Sequence, residues 1–245
     1  MGSRLECRGA QMLCVYSGMV PELDVWLREQ LGANGVLTAI PFAADEVLAA
    51  DEAAQYFRDL GIAVKVLPAA DYYEADRLRQ AILASHAVYL IGGNTYEFLD
   101  YARSVNLFAT LSEFEARGGV IVGESAGSII LSPDIATAGI PSSFPDENTI
   151  RLQRLEAMGR LPFHISPHFE PQAPWAQRDL QELQVLADES GYPVVVLEDG
   201  EGFIVSDQSI SHFYGAHRML VPGGVPPALA ANAGKASIPV TRQAI

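Results

Sequence analysis

Short apolar runs alternate with longer amphipathic stretches along most of the chain. The apolar runs predict strands at Met12–Tyr16, Val36–Ile40, Ala63–Leu67, Ala87–Ile91, Val120–Val122, Pro193–Leu197, Gly202–Val205 and Ile210–Tyr214. The stretches between them predict helices at Pro21–Leu31, Asp45–Leu60, Glu74–Ala84, Tyr96–Arg103, Leu107–Ala116 and Trp175–Ser190. Gly32, Gly61 and Gly118 follow three of these helices, where helices commonly stop. The early runs VLTAI, AVKVL and AVYLI are continuous rather than alternating, as in strands covered on both faces by crossover helices. Roughly the first 130 residues therefore predict an α/β fold with a doubly wound, mostly parallel sheet. From Ser132 to Pro174 repeated prolines break the periodicity, and loops of that length are often functional.

Composition narrows the picture. The 245 residues are 49% hydrophobic and 19% charged, which fits a single domain over residues 1–245 and excludes disorder as the main state. No apolar run reaches the roughly 18–20 residues of a membrane span. With 30 acidic against 16 basic residues the net charge is −14, which repels phosphate backbones and anionic lipid. Neither nucleic acid nor a membrane is an expected partner. Cys7 and Cys14 are too few for a disulfide scaffold, and with no clustered ligands or H-E-x-x-H no metal or cofactor is expected. The apolar stretch MLCVYSGMV after the N-terminus reads as a first strand rather than a signal peptide, so a cytoplasmic protein is expected by default.

The densest chemical signal is GGVIVGESAGSIIL. An apolar strand leads into Gly123-Glu124-Ser125-Ala126-Gly127, and a helix-compatible segment follows. That is G-x-S-x-G between strand and helix, the pattern of a nucleophile elbow. The alternative is a small-residue connection in an ordinary α/β sheet. A second signal, YLIGGNTYEFL, sets Gly92 and Gly93 between a strand and a helix. Their backbone N–H groups, with that of Ala126, could form an oxyanion hole. A plain helix cap by Asn94 or Thr95 is the competing reading.

A serine nucleophile needs a base and a group to orient it. Of five histidines, His86 sits in a helix-to-strand passage and reads as structural. His164, His168, His212 and His217 stay open, since triad partners are remote in sequence and spacing does not choose among them.

The stretches IGGNTYEFL, VGESAGS and SPHF, in that order, resemble the peptidase E family of α-aspartyl dipeptidases, with cyanophycinases as more distant relatives. IPFAADE followed by LGIAVKVLP is also similar, so the likeness runs from about Met12 to Tyr214. The resemblance implies a fold like that of class I glutamine amidotransferases, a small peptide substrate and a homodimer. It implies Ser125 as nucleophile, His168 as general base, and Gly93 (with its neighbour Gly92) and Ala126 as the oxyanion donors, leaving His164 a supporting role.

The third triad member departs from the family pattern. Where peptidase E has an Asp after the serine, this chain has TAGIP, with Gly139 or Ile140 in its place; Asp134, Asp146 and Glu147 lie nearby. Cyanophycinase-like members take the acid from a loop after the histidine, which resembles VLEDGEGF here. Asp199 is preferred in that loop, with Glu198 the alternative. Arg178, ten residues after His168, is the candidate grip for a substrate aspartate, whereas Glu170 and Glu124 favour a free amine. The expected activity is that of a serine exopeptidase or dipeptidase on short peptides, with Asp-X as the family's substrate. Two rivals remain: an esterase of α/β-hydrolase type using Ser125 with Asp199 and His212 or His217, and a non-catalytic binding protein on the same scaffold.

Overall fold

The computed structural model describes residues 12–42, 46–68, 71–206, 209–215 and 218–225. Cys7 and His217 therefore lie outside the described residues. Seven strands form one sheet in the order β3-β2-β4-β5-β1-β8-β9, using β1 (Met12–Tyr16), β2 (Val36–Ile40), β3 (Ala63–Val66), β4 (Ala87–Leu90), β5 (Val120–Glu124), β8 (Gly202–Ser206) and β9 (Ser209–Tyr214). The first five strands pair in parallel, while β8 and β9 add antiparallel at one side. Helices α1 (Pro21–Leu31), α2 (Glu46–Asp59), α3 (Ala75–Leu83), α4 (Thr95–Ser104), α5 (Leu107–Ala116) and the short α6 (Ala126–Ile129) make the connections. This is the mostly parallel α/β arrangement that the apolar runs predict.

The central strands are almost wholly buried because helices and neighbouring strands cover them; every residue of β4 is buried. β3 corrects the expectation of a strand covered on both faces. It lies at the sheet's edge and alternates exposed and half-buried residues, with Lys65 facing out. A charged, alternating strand suits an edge, where an apolar one would invite pairing with another chain.

A second sheet, in the order β10-β7-β6, was not fully expected. It pairs β6 (His164–Ser166) parallel to β7 (Val194–Val196), with β10 (Arg218–Leu220) antiparallel. β6 falls in the proline-rich region read as loop. Val195 packs in the main core, whereas Val194 and Val196 pack with Leu180, Leu183 and Ala187 of α7 (Ala176–Ser190). The small sheet is thus a layer between the main core and α7. Its parallel strands β6 and β7 end beside the carboxyl ends of β1, β4 and β5, where the Ser17 hydroxyl donates to the Leu197 carbonyl and accepts from the His168 N–H.

Candidate active site

The turn after β5 is built by close approach. A Cβ on Gly127 would lie 2.1 Å from the Leu90 carbonyl oxygen, and one on Gly123 would lie 2.5 Å from the Gly127 carbonyl oxygen. Only glycine allows β5, α6 and the end of β4 to meet so closely. Ser125 sits at the apex with φ 50° and ψ −116°, a conformation that L residues rarely adopt. Its own N–H donates to the Tyr16 carbonyl at 3.1 Å, and its carbonyl accepts from the Ser128 and Ile129 N–H groups and the Ser128 hydroxyl. The strained residue is thus held at both ends.

His168 follows β6 and also has positive φ, 59°. Its Nε2 lies 2.8 Å from Ser125 Oγ. On the other side of the ring, Nδ1 lies 2.6 Å from Asp199 Oδ1. Asp199 comes from the loop after β7, so the two parallel strands of the small sheet deliver histidine and acid together to a serine on the large sheet. A serine hydroxyl, an imidazole and a carboxylate in one hydrogen-bonded line can transfer a proton from the hydroxyl while the carboxylate fixes the tautomer.

Ser17 was missed in the sequence. Completely buried at the end of β1, its Oγ accepts the His168 N–H at 2.8 Å and lies 3.3 Å from Asp199 Oδ1. One hydroxyl thus ties the backbone of the histidine to the carboxylate of the acid. Its only signal was position: YSG leaves the first parallel strand at the edge where sites form.

Gly92 packs directly on the serine, since a Cβ there would meet Ser125 Cβ at 3.2 Å. Gly93, with φ 125°, lines the same cleft. Among the described residues no acceptor engages the N–H of Gly93 or of Ala126, the first residue of α6. Asn94 caps α4, its side-chain oxygen accepting from the Tyr96 and Glu97 N–H groups, as the cap reading of this motif expects.

The other acids divide clearly. Glu198 does not join the line to His168: it bonds Arg218 at 2.7 Å, and that guanidinium lies over the Phe169 ring. Asp134 pairs instead with buried His164, Nε2 to Oδ1 at 3.1 Å, bracing β6 from behind. Asp146 accepts the Thr95 N–H at 2.8 Å, and Gly139 faces the Tyr96 hydroxyl. His86 accepts the Val36 N–H and is structural. His212 lies on β9, where its Nδ1 is 3.4 Å from the neighbouring Ser211 hydroxyl, far along the sheet order from Ser125. Arg178, the candidate substrate grip, stands outside the residues that line the cleft. Its side chain is 54% exposed, near Asp179 and Glu182. Glu170 does line it.

Glu124, just before the serine, accepts a hydrogen bond from Tyr89. Burial, with the nearby charges of Asp24 and Asp199, pushes its carboxyl up to about 7. Asp24 in turn accepts from the hydroxyls of Tyr16 at 3.0 Å and Tyr56 at 2.5 Å. No group of three or more His, Cys, Asp or Glu side chains with metal-binding geometry occurs among the described residues.

Residues 15–213 match peptidase family S51. The chain belongs to peptidase family S51. It is similar to peptidase E of Salmonella arizonae, 28% identical over 192 residues that cover 74% of this chain and 77% of that one. Peptidase E of Citrobacter koseri is 30% identical over 132 residues, about half of each chain (51% and 54%). A solved peptidase from an acI-B1 Actinobacterium superposes with TM-score 0.60 over 87% of this chain and 95% of its own, at 18% identity. A Listeria monocytogenes EGD-e protein, provisionally described as a peptidase E, gives 0.67 over 86% and 100%, also at 18%. The likeness to these two structures is one of fold. The family makes the chain a serine-type peptidase, with peptides as its substrates, and bears out the resemblance carried by the three motifs. No described helix is long and apolar enough to cross a membrane.

Proposed function

We propose that the chain cleaves short peptides through an acyl-enzyme on Ser125, acting as an exopeptidase. The observation that carries the reading is the line Ser125 Oγ, His168 Nε2, His168 Nδ1, Asp199 Oδ1, with both contacts at hydrogen-bond distance. Ser125 is the nucleophile on its elbow, and His168 takes the hydroxyl proton as Oγ attacks the scissile carbonyl. The carbonyl oxygen becomes an oxyanion facing the N–H groups of Gly93 and Ala126, beside Gly92, at the positive end of α6. His168 then passes the proton to the leaving amine, the C–N bond breaks, and water releases the acyl group by the same relay. Asp199 holds the Nδ1–H tautomer; Glu198, committed to Arg218, supports the loop rather than the ring.

A non-catalytic scaffold would not need a serine kept at positive φ with a histidine aimed at its hydroxyl. An esterase using His212 would need that residue at the serine, and it lies on β9. Replacing Ser125 with Ala should lower kcat/KM on a dipeptide panel by at least about 10³-fold, and His168→Ala by a similar factor. Fluorophosphonate should label the wild type and not Ser125→Ala. Labelling that survives His168→Ala at the wild-type rate would sink the assignment of the base.

A further inference from the structure

The cleft beside Ser125 has a volume of about 440 Å³, room for a whole amino-acid side chain. Its charge is one-sided. Asp146, Glu170 and Asp179 line it in addition to Asp199, and no Lys or Arg does so among the described residues. Three of its lining side chains are almost fully buried yet lack a hydrogen-bond partner: Thr95 Oγ1, Thr137 Oγ1 and Asp179 Oδ1, on residues 1%, 5% and 4% exposed. Buried polar atoms are normally satisfied, so an incompletely satisfied carboxylate on a cleft-lining residue favours a ligand's donor. Asp179 can only accept. Its Oδ2 takes the Ser143 hydroxyl at 2.5 Å, while Oδ1 has only the Arg178 guanidinium at 3.7 Å, beyond hydrogen-bond length and shared with Glu182 at 3.6 Å. At the mouth stand two exposed rings, Phe144 and Trp175.

Resting on the acyl-transfer reading above, we infer that this cleft selects peptides whose scissile carbonyl belongs to a basic residue, lysine or arginine. The long methylene stem lies along Phe144 and Trp175, and the cationic end donates to Asp179 Oδ1. Asp146 and Glu170 add to the negative field without contacting the group. An aspartate side chain in the same place meets three carboxylates and no cleft-lining cation among the described residues, so Asp-X peptides are disfavoured.

The test is hydrolysis of X-Leu dipeptides with X as Arg, Lys, citrulline, norleucine and Asp, together with Nα-acetyl-Lys-Leu. Citrulline and norleucine keep the stem and the free α-amine and remove the side-chain charge. Arg should exceed citrulline, and Lys exceed norleucine, by at least about tenfold in kcat/KM, with Asp the poorest. Asp179→Asn, which keeps the shape and the Ser143 bond, should bring the Arg-to-citrulline ratio within about twofold of one. The wild-type ranking decides the matter even if that variant folds poorly. Equal rates for charged and neutral partners, or a preference for Asp, would overturn the inference. So would equal rates combined with loss of activity on Nα-acetylation, which would assign the carboxylates to the α-ammonium. Fluorophosphonate carries no cation and reports Ser125 separately: labelling with a flat ranking, or with no basic dipeptide cleaved, overturns this inference alone. Neither labelling nor hydrolysis would remove the acyl-transfer reading and this inference with it.

Discussion

Glu124 shows how much one side chain beside Ser125 can cost. A carboxyl whose ordinary value is 4.5 is pushed up to about 7 by burial, with Asp24 and Asp199 adding like charge. The folded chain therefore holds this proton more tightly than the unfolded one. Stability from this group is full below about 4.5, declines as pH rises toward about 7, and stays lost above it. Glu124→Gln keeps a partner for Tyr89 and cannot ionise. It should stabilise the fold by roughly 1–3 kcal/mol at pH 8 and by almost nothing at pH 4. Thermal melts of both proteins across that range check it, and a pH-independent difference would show that shape rather than charge is responsible. The same scale marks what the sequence could disclose. Ser125 and His168 stand out because their neighbours are distinctive, GESAG and SPHF. Asp199 needed the loop resemblance, since LEDGEG reads equally as a solvated acidic turn; the geometry sets Asp199 beside the His168 ring and Glu198 beside Arg218. Ser17 had no residue-level signal, because a serine after a strand is ordinary and its two partners are more than 150 residues away.

Elements are legible when they are long and their period is unbroken. The strands from Met12 to Tyr16 and from Val36 to Ile40 are as expected, and so is α1. β6 and β10, at three residues each, carry too few positions to show a period, and β6 is embedded among prolines. β3 misleads for another reason. Its run Ala-Val-Lys-Val-Leu is apolar apart from Lys65, and its place at the edge determines that alternate residues face water. The element most sensitive to a small change is the β5–α6 turn. Gly127→Ala adds one methyl, but that methyl falls 2.1 Å from the Leu90 carbonyl oxygen, which belongs to backbone and cannot swing aside. The end of β4 must move, and Gly92 and Gly93 move with it. A loss of about 1–3 kcal/mol is expected from the overpacking, with a larger proportional loss of fluorophosphonate labelling because the Gly93 and Ala126 N–H groups and Ser125 separate. Unchanged melting and labelling would mean that the turn relaxes freely.

Over the whole molecule, the site exists only where the two sheets meet. Ser125 and Ser17 belong to the large sheet, and His168 and Asp199 to the small one. Whatever holds the sheets in register therefore holds the triad. The chain approaching β6 runs beside the segment after α6, with Ala157, Met158 and Gly159 donating to Pro133, Ile130 and Ser132. At the end of that run Arg160 buries its guanidinium against Glu115 of α5, its Nε bonding both carboxylate oxygens at 2.9 and 3.1 Å. The side chains are 9% and 2% exposed, and among the described residues Arg160 Nη1 and Nη2 have no hydrogen-bond partner. Burial pushes the Glu115 carboxyl above its ordinary value even though Arg160 opposes the shift, so desolvation outweighs the attraction of the pair. Breaking the pair and replacing it should then differ sharply. Glu115→Ala leaves a buried guanidinium uncompensated and should cost about 3–5 kcal/mol, whereas Glu115→Leu with Arg160→Met should be neutral or stabilising. Denaturant melts measure both. Fluorophosphonate labelling then separates stability from register: the double variant should label like wild type if apolar packing alone can seat β6. A stable double variant that labels slowly would show that the ion pair sets where His168 stands.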